Sequence, residues 1–265
     1  MTDIDWDDAF ANAAYIENGE SFYEYWPQKS AAFRDGWENK RLDQRYGPAN
    51  RETYDLFIPE THPAGLLIFV HGGYWMATDK SYWSYLASGA VQLGWQVAIV
   101  QYTLAPNATL PEITLQVGRA IDHLAQNTDT PIHLVGHSAG GHLVSRMGCK
   151  DAPLADTTKH RVKKITSISG LHDLTPLMNT KMNDQLQLTP ETAREESVAL
   201  RTPNKIPITA WTGADERPEF LRQAKTLFEA WPHAKLVIEP NKHHFDVIDG
   251  LCYPDADLLK EVLHP

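Results

Sequence analysis

Short apolar runs alternate with stretches of helical periodicity over most of the chain. The runs predicted to be strands are residues 42–46, 53–58, 66–70, 95–100, 132–135, 165–168, 206–211 and 236–239. Helices are predicted near residues 81–93, 112–126, 138–148, 217–230 and 255–263. Continuous apolar strands separated by helices are typical of a parallel sheet that is covered on both faces. The pattern therefore predicts an α/β fold with a mostly parallel central sheet and helices on both faces.

Two segments depart from this rhythm. Residues 1–40 are dense in aromatic side chains, lack strand alternation and are interrupted by Gly19 and Pro27, so short helices are predicted there. Residues 171–204 are polar and about twice as long as a usual connection. An insertion after the carboxyl end of a strand lies where α/β proteins bind ligands, so a lid is predicted. We expect one domain over residues 1–265, with both segments forming a small cap.

Composition narrows the function. The 265 residues include 34 acidic and 24 basic side chains, a net charge of −10, and no basic run. Nucleic acids and acidic membranes need clustered Lys and Arg, so neither is predicted as a partner. Cys149 and Cys252 cannot form a disulfide framework, which favours a reducing compartment. With no apolar leader or membrane-spanning run, we expect a cytoplasmic protein that acts on a small molecule; the sequence leaves a homodimer open.

The strongest chemical motif follows the predicted strand 132–135 and opens the next helix. It reads Gly136-His137-Ser138-Ala139-Gly140. A nucleophile on a sharp strand-to-helix turn is crowded by the residues two before and two after it, so both positions need glycine. The helix that follows supplies backbone N–H groups and the positive end of its dipole. The motif predicts Ser138 as a nucleophile.

A second motif, His71-Gly72-Gly73-Tyr74-Trp75, directly follows the strand 66–70. Two glycines at the end of a buried strand allow the backbone to turn back with free N–H groups, as an oxyanion hole requires. Gly72 and Gly73 are therefore predicted oxyanion donors together with Ala139. His71 is expected to brace this loop by hydrogen bonding.

A nucleophilic serine needs an acid and a histidine base, which in this architecture follow it in that order. After the strand 206–211 come Asp215 and Glu216, and after the last strand come His243 and His244. All four lie at the carboxyl ends of strands, where catalytic groups converge. The pattern alone does not decide which of the two acids and which of the two histidines would act with Ser138.

Together the motifs resemble the kynurenine formamidase (arylformamidase) branch of the α/β-hydrolases. The resemblance extends from about residue 41 to residue 250, and HGGYW is its most particular part. The segments that carry it are HGGYW (71–75), Lys80, GHSAGGHL (136–143), SGLHDL (169–174), RPEFLRQ (217–223) and HHFDVI (243–248).

The resemblance implies roles for individual residues. Ser138 matches the family nucleophile and His244 its base, while Glu216 stands where the family has an Asp, so Asp215 stays an alternative. Apart from the resemblance, the bulky Tyr74 and Trp75 follow the glycines, and either one is expected to wall off the acyl side so that only a small acyl group fits; the alternative is that one or both pack into the core. Neither a cofactor nor a metal is implied.

The resemblance implies cleavage of N-formylkynurenine to kynurenine and formate through a formyl-enzyme. A carboxylesterase for short-chain or aryl esters is the alternative, because specificity depends on pocket shape. A non-catalytic binding module on the same fold is a remote third possibility. Lys80 and Arg217 are the cations considered for a substrate carboxylate.

Overall fold

The computed structural model describes residues 4–264 and contains an eight-stranded sheet. The strands are β1 Lys40–Arg45, β2 Thr53–Phe57, β3 Leu66–Val70, β4 Gln96–Val100, β5 Ile132–His137, β6 Val162–Ile168, β7 Ile208–Gly213 and β8 Ala234–Glu239. Their order across the sheet is β1-β2-β4-β3-β5-β6-β7-β8. The pairs β1–β2 and β2–β4 are antiparallel, and the remaining pairs are parallel. The predicted mostly parallel sheet is confirmed.

The helices alternate with the strands as the periodicity predicts. They are α1 Trp6–Ala9, α2 Phe22–Gly36, α3 Ser88–Gln92, α4 Leu110–Ala125, α5 Ala139–Arg146, α6 Asp156–Lys159, α7 Asn183–Leu186, α8 Pro190–Glu196, α9 Pro218–Ala230 and α10 Asp257–Leu263. Two large clusters of buried apolar side chains pack on the sheet. Among residues 4–264, no helix has the length and apolar character needed to cross a membrane.

The predicted helix over residues 81–93 is wrong for most of its length. Short 3₁₀ turns occupy Lys80–Tyr82 and Ser84–Ala87, and only α3 is α-helical. The reason lies in the contacts from α2: Arg34 Nη1 donates to Ser81 O and Ser30 Oγ to Tyr82 O, both at 2.6 Å. Those carbonyls are thereby occupied by side chains instead of by the N–H groups of a following helical turn.

The prediction of short helices for the N-terminal segment is wrong for α2, which continues through Pro27 for 15 residues. Residues 4–40 contain α1, α2 and the 3₁₀ turns Ala13–Tyr15 and Gly19–Ser21. Residues 171–204 lie between β6 and β7 and contain α7, α8 and the 3₁₀ turns Thr175–Asn179 and Val198–Leu200. They meet where the backbone N–H of Lys181 donates to Asp7 Oδ1 at 2.8 Å.

Candidate active site

Ser138 occupies a strained turn between β5 and α5. Its φ of 55° and ψ of −119° are rare for a residue with a side chain, and its N–H donates to Ile168 O at 2.8 Å. A Cβ atom at Gly136 would lie 2.2 Å from Gly140 O, and one at Gly140 would lie 1.9 Å from Val70 O. Close backbone packing thus requires glycine at both positions, as the spacing of the motif predicts.

Glu216 and His244 form a buried pair beside this turn. Glu216 Oε2 lies 2.7 Å from His244 Nδ1, and both side chains are almost fully buried. Asp215 is exposed, and its N–H donates to Lys242 O at 2.9 Å. Of the two acids left open by the sequence, Glu216 is the one in contact with His244. His243 contacts the backbone N–H groups of residues 245 and 246 instead.

Three further groups hold Glu216 in its ionised form. Its Oε1 accepts hydrogen bonds from the Gly213 N–H at 2.8 Å, from Thr212 Oγ1 at 3.0 Å and from Ser169 Oγ. Burial alone would raise the pKa of this carboxyl, but His244 and these donors hold the pKa below its ordinary value. Glu216 can therefore stay charged in a buried position and stabilise an imidazolium on His244.

The ring of His244 is positioned by its neighbours. His137 Nε2 lies 2.9 Å from His244 O, and the Phe220 ring packs on the imidazole with centroids 4.3 Å apart. Burial, and next the charge of His244, lower the pKa of His137 to about 3, so His137 stays neutral. Within residues 4–264 the Nε2 of His244 has no hydrogen-bond partner, so this nitrogen is available for a proton transfer.

The glycine loop after β3 lies against Ser138. A Cβ atom at residue 72 would lie only 3.0 Å from Ser138 Cβ, and Gly73 has a φ of 100°. Within the part of the chain that is described, the N–H groups of Gly72, Gly73 and Ala139 have no acceptor. These donors are thus available near Ser138. His71 Nδ1 lies 2.8 Å from Gly72 O, and burial lowers the pKa of His71 to about 4.

Ser138 and His244 line a common cavity of about 320 Å³. The N-terminal segment contributes a large part of the lining, with residues 10–14, Glu20, Tyr23 and Trp26. Tyr74 also lines this cavity, whereas Trp75 does not. Trp75 is fully buried in the core, with its ring edge-on to His142. The expectation that Trp75 walls the acyl side is therefore wrong, because a positive φ at both residues turns it away into the core while Tyr74 faces the cavity.

A family model called BD-FAE matches residues 54–212. The chain belongs to the BD-FAE family. The matched part of this BD-FAE protein includes the glycine loop and Ser138, whereas Glu216 and His244 follow it.

Relatives extend the comparison over nearly the whole chain. Kynurenine formamidase from Salmo salar is 28% identical over 253 residues, 88% of this chain and 86% of the relative. A structure from Silicibacter sp. tm1040, provisionally named a thioesterase, is 43% identical with a TM-score of 0.95 and covers 98% of this chain and 99% of that one. An esterase from Pyrobaculum calidifontis has a TM-score of 0.69 at 19% identity, covering 91% and 88%.

These comparisons confirm the α/β-hydrolase fold and the resemblance to kynurenine formamidases. The BD-FAE protein described here is a hydrolase.

The two cations considered for a substrate carboxylate are engaged elsewhere. Lys80 Nζ lies 2.6 Å from Asp43 Oδ1 and 2.8 Å from Asp55 Oδ1. Arg217 Nη2 lies 2.5 Å from Asp8 Oδ2, and its guanidinium packs 3.6 Å from the centre of the Tyr15 ring. Neither residue lines the cavity.

Sequence reasoning missed several residues of this site. Ser169 lies in the SGLHDL segment but was assigned no role there, and its φ of 50° is visible only in the structure. Thr212 is the last residue but one of β7 and resembles any buried strand residue. Asn12, which lines the cavity, lies in a segment without a motif.

Proposed function

We propose that this protein is an arylformamidase that cleaves N-formylkynurenine or a closely related aryl formamide by a serine mechanism. The observation that carries the proposal is the contact of 2.7 Å between Glu216 Oε2 and His244 Nδ1 in a cavity that Ser138 also lines. In the proposed triad Ser138 is the nucleophile, His244 the base and Glu216 the acid. The relatives named kynurenine formamidase support the choice of an aryl formamide.

In the first step His244 Nε2 takes the proton of Ser138 Oγ while that oxygen attacks the formyl carbon. Glu216 holds the proton on Nδ1 and stabilises the resulting imidazolium. Negative charge develops on the former carbonyl oxygen, which the N–H groups of Ala139 and of Gly72 or Gly73 would receive. Loss of one such donor typically costs about 3–4 kcal/mol of transition-state stabilisation.

In the second step the bond between the formyl carbon and the aryl nitrogen breaks, and His244 gives its proton to that nitrogen. This protonation matters because an anilide nitrogen is a poor leaving group as an anion. A formyl ester remains on Ser138. Water then attacks the ester with His244 again as base, and formate leaves as Ser138 regains its proton.

The cavity suits a small acyl group and an aromatic leaving group. Tyr74 is held by hydrogen bonds, because its hydroxyl donates to Phe10 O at 2.6 Å and accepts from Asn12 Nδ2 at 3.2 Å. A fixed aromatic ring beside the glycine loop limits the length of the acyl group. Aromatic side chains on the N-terminal side offer faces on which an aryl ring can pack.

A carboxylesterase is the second candidate. The absence of Lys and Arg among the described residues that line the cavity favours it, because an ester without a carboxylate needs no counter-ion. The same proposed triad would cleave such an ester.

A steady-state comparison of N-formylkynurenine with p-nitrophenyl acetate separates the two functions. We expect a higher kcat/KM for the formamide, with Ser138→Ala as the blank for both substrates. A formamide kcat/KM far below the ester value would overturn the arylformamidase proposal in favour of the esterase. Turnover that persists in Ser138→Ala would overturn the serine mechanism itself.

A second series tests the acyl group. Formyl, acetyl and butyryl esters of one phenol should react at rates that fall with acyl length. A Tyr74→Ala variant should reduce that fall. Rates that are flat or rise with length in the unmodified protein would contradict a walled acyl pocket.

A further inference from the structure

We infer that the leaving-group side of the cavity recognises an aryl amine that carries a hydrogen-bond donor or a positive charge, and that Asn12 and Glu20 are its specificity-determining residues. This inference rests on the proposed function, since it names the substrate class of the same site. It concerns the part of the substrate that departs as the amine, away from the acyl carbon.

Asn12 lies in the wall of the cavity and has an unsatisfied acceptor. The residue is 7% exposed, lines the cavity, and its Oδ1 has no partner within residues 4–264. The orientation of its amide follows from Tyr74, whose hydroxyl uses its proton on Phe10 O and so can only accept from Asn12 Nδ2. A buried acceptor without a partner carries a free-energy cost that a ligand N–H removes on binding.

Glu20 supplies the negative charge at the exposed edge of the same cavity. It lies in the 3₁₀ turn Gly19–Ser21, is solvent-exposed and forms no ion pair with residues 4–264. Its charge acts on the cavity wall, because burial and then Glu20 raise the pKa of the Tyr23 phenol. Apart from histidines, Glu20 is the only acidic or basic side chain among the described residues that line the cavity.

The remaining walls also favour a cation over an anion. Besides Tyr74, five aromatic side chains line the cavity: Phe10, Tyr23, Trp26, Trp83 and Phe245. The face of an aromatic ring carries partial negative charge, so it attracts an ammonium group and repels a carboxylate. Neither Lys80 nor Arg217 lines this cavity, and both pair with carboxylates.

These features predict how a charged substituent changes turnover. An ammonium group meets Glu20, the Asn12 oxygen and aromatic faces, and each of these is attractive. A carboxylate on the same position must lose water without gaining a donor or a counter-ion. A zwitterionic amino-acid substituent is accepted through its ammonium group, with its carboxylate directed to solvent.

The test uses three formanilides that differ only at the meta position: aminomethyl, methyl and carboxylate. We expect kcat/KM to fall in that order, with about tenfold or more between the cationic and anionic substrates at low salt. Glu20→Lys should reverse the preference for charge, and Glu20→Gln should reduce it. Asn12→Leu, which removes the acceptor, should lower kcat/KM for the aminomethyl substrate more than for the methyl one.

Glu24→Gln is the matched control, because Glu24 lies on the same segment but does not line this cavity. It should leave the charge preference unchanged. Equal kcat/KM for cationic and anionic formanilides, or a preference that Glu20→Lys does not alter, would overturn the inference while leaving the arylformamidase proposal intact.

Acetate esters of the correspondingly substituted phenols keep the two proposals distinguishable. If formanilides are not cleaved at all, the arylformamidase proposal fails, and the ester series still measures the charge preference. A cationic preference among the esters would support the recognition of the leaving group by Asn12 and Glu20. No preference among the esters would overturn it.

Discussion

The two sides of the cavity are built in different ways. On the sheet side, Ser138 and Glu216 follow the carboxyl ends of the buried parallel strands β5 and β7, and His244 follows the partly exposed edge strand β8. Their neighbours are held by backbone contacts. On the N-terminal side, the cavity is lined by residues from short turns and from the start of α2, and this segment is attached by side-chain contacts such as Arg217 to Asp8 and Asn12 to Tyr74.

This difference separates reaction chemistry from selectivity. Bond cleavage needs groups fixed to within a fraction of an ångström, which a buried sheet provides. A wall outside the sheet can change its side chains without disturbing the strands, so it is the natural place to adjust what the enzyme accepts. Changes on the sheet side should therefore lower kcat, and changes on the N-terminal side should alter KM and selectivity.

The largest effect is expected from the acid of the proposed triad. Glu216→Gln should lower kcat by about 10⁴-fold, because an amide cannot hold His244 in the required tautomer or stabilise its cation. Asp215→Asn is the control, since Asp215 is exposed and does not contact His244. Turnover of both variants on the same substrate is the measurement.

Near-normal turnover of Glu216→Gln together with a large loss in Asp215→Asn would reverse the assignment of the acid. The acid would then be an exposed loop residue and not a buried side chain at the end of a strand.

A smaller loss is expected when a methyl group is added next to the nucleophile. Gly72→Ala places Cβ 3.0 Å from Ser138 Cβ and 2.9 Å from His137 O, so the loop must shift. Displacing a proposed oxyanion donor should reduce kcat by about 10²–10³-fold. Gly36→Ala is the matched control, because a Cβ atom at residue 36 has no described neighbour within 4 Å.

Full kcat in both glycine variants would contradict a role for the Gly72 loop in the reaction. A loss of kcat in Gly72→Ala with a melting temperature near that of the unmodified protein would support that role, because a general loss of folding is then excluded.

The same contrast explains what sequence reasoning could predict. Strand β3 is a continuous apolar run, and the glycines around Ser138 are dictated by close packing, so both leave a local signature. No local sequence signature distinguishes Asp215 from Glu216, because two adjacent acids differ only in the direction that the loop gives their side chains. Only the contact with His244 distinguishes them.

Side-chain direction caused the other failures. Tyr74 and Trp75 look equivalent in sequence, but consecutive residues with positive φ send one ring to the cavity and the other into the core. The segment after Lys80 has helical composition, yet Ser30 and Arg34 occupy the carbonyl groups of its first turn. Such contacts join residues about 50 positions apart, so no local pattern reports them.

Acid should destabilise the sheet side specifically. Burial lowers the pKa of His137, His142 and His172 to about 3, whereas residues 1–40 contain no histidine. The unfolded chain takes up protons at these histidines below about pH 6.5 and the folded chain does not, so stability falls as pH drops from about 6.5 toward 3. Each such histidine contributes a slope of up to about 1.4 kcal/mol per pH unit.

His142→Gln tests this origin, since a glutamine can still donate to Glu196 O as His142 Nε2 does at 2.9 Å. Denaturant titrations between pH 7.5 and 4.5 should show a shallower pH dependence for this variant than for the exposed control His160→Gln. Identical slopes for the two variants would show that the acid sensitivity arises elsewhere.

The smallest effect is expected from the ion pair that joins the two sides. Arg217→Ala removes the contact with Asp8, which is partly exposed, so we expect KM for an aryl substrate to rise by about twofold to fivefold with kcat nearly unchanged. Asp8→Asn weakens the same contact from the N-terminal side and should give a similar increase. If Arg217→Ala lowers kcat and Asp8→Asn does not, the arginine acts on the neighbouring Glu216 instead, and the division between the two sides does not hold at this residue.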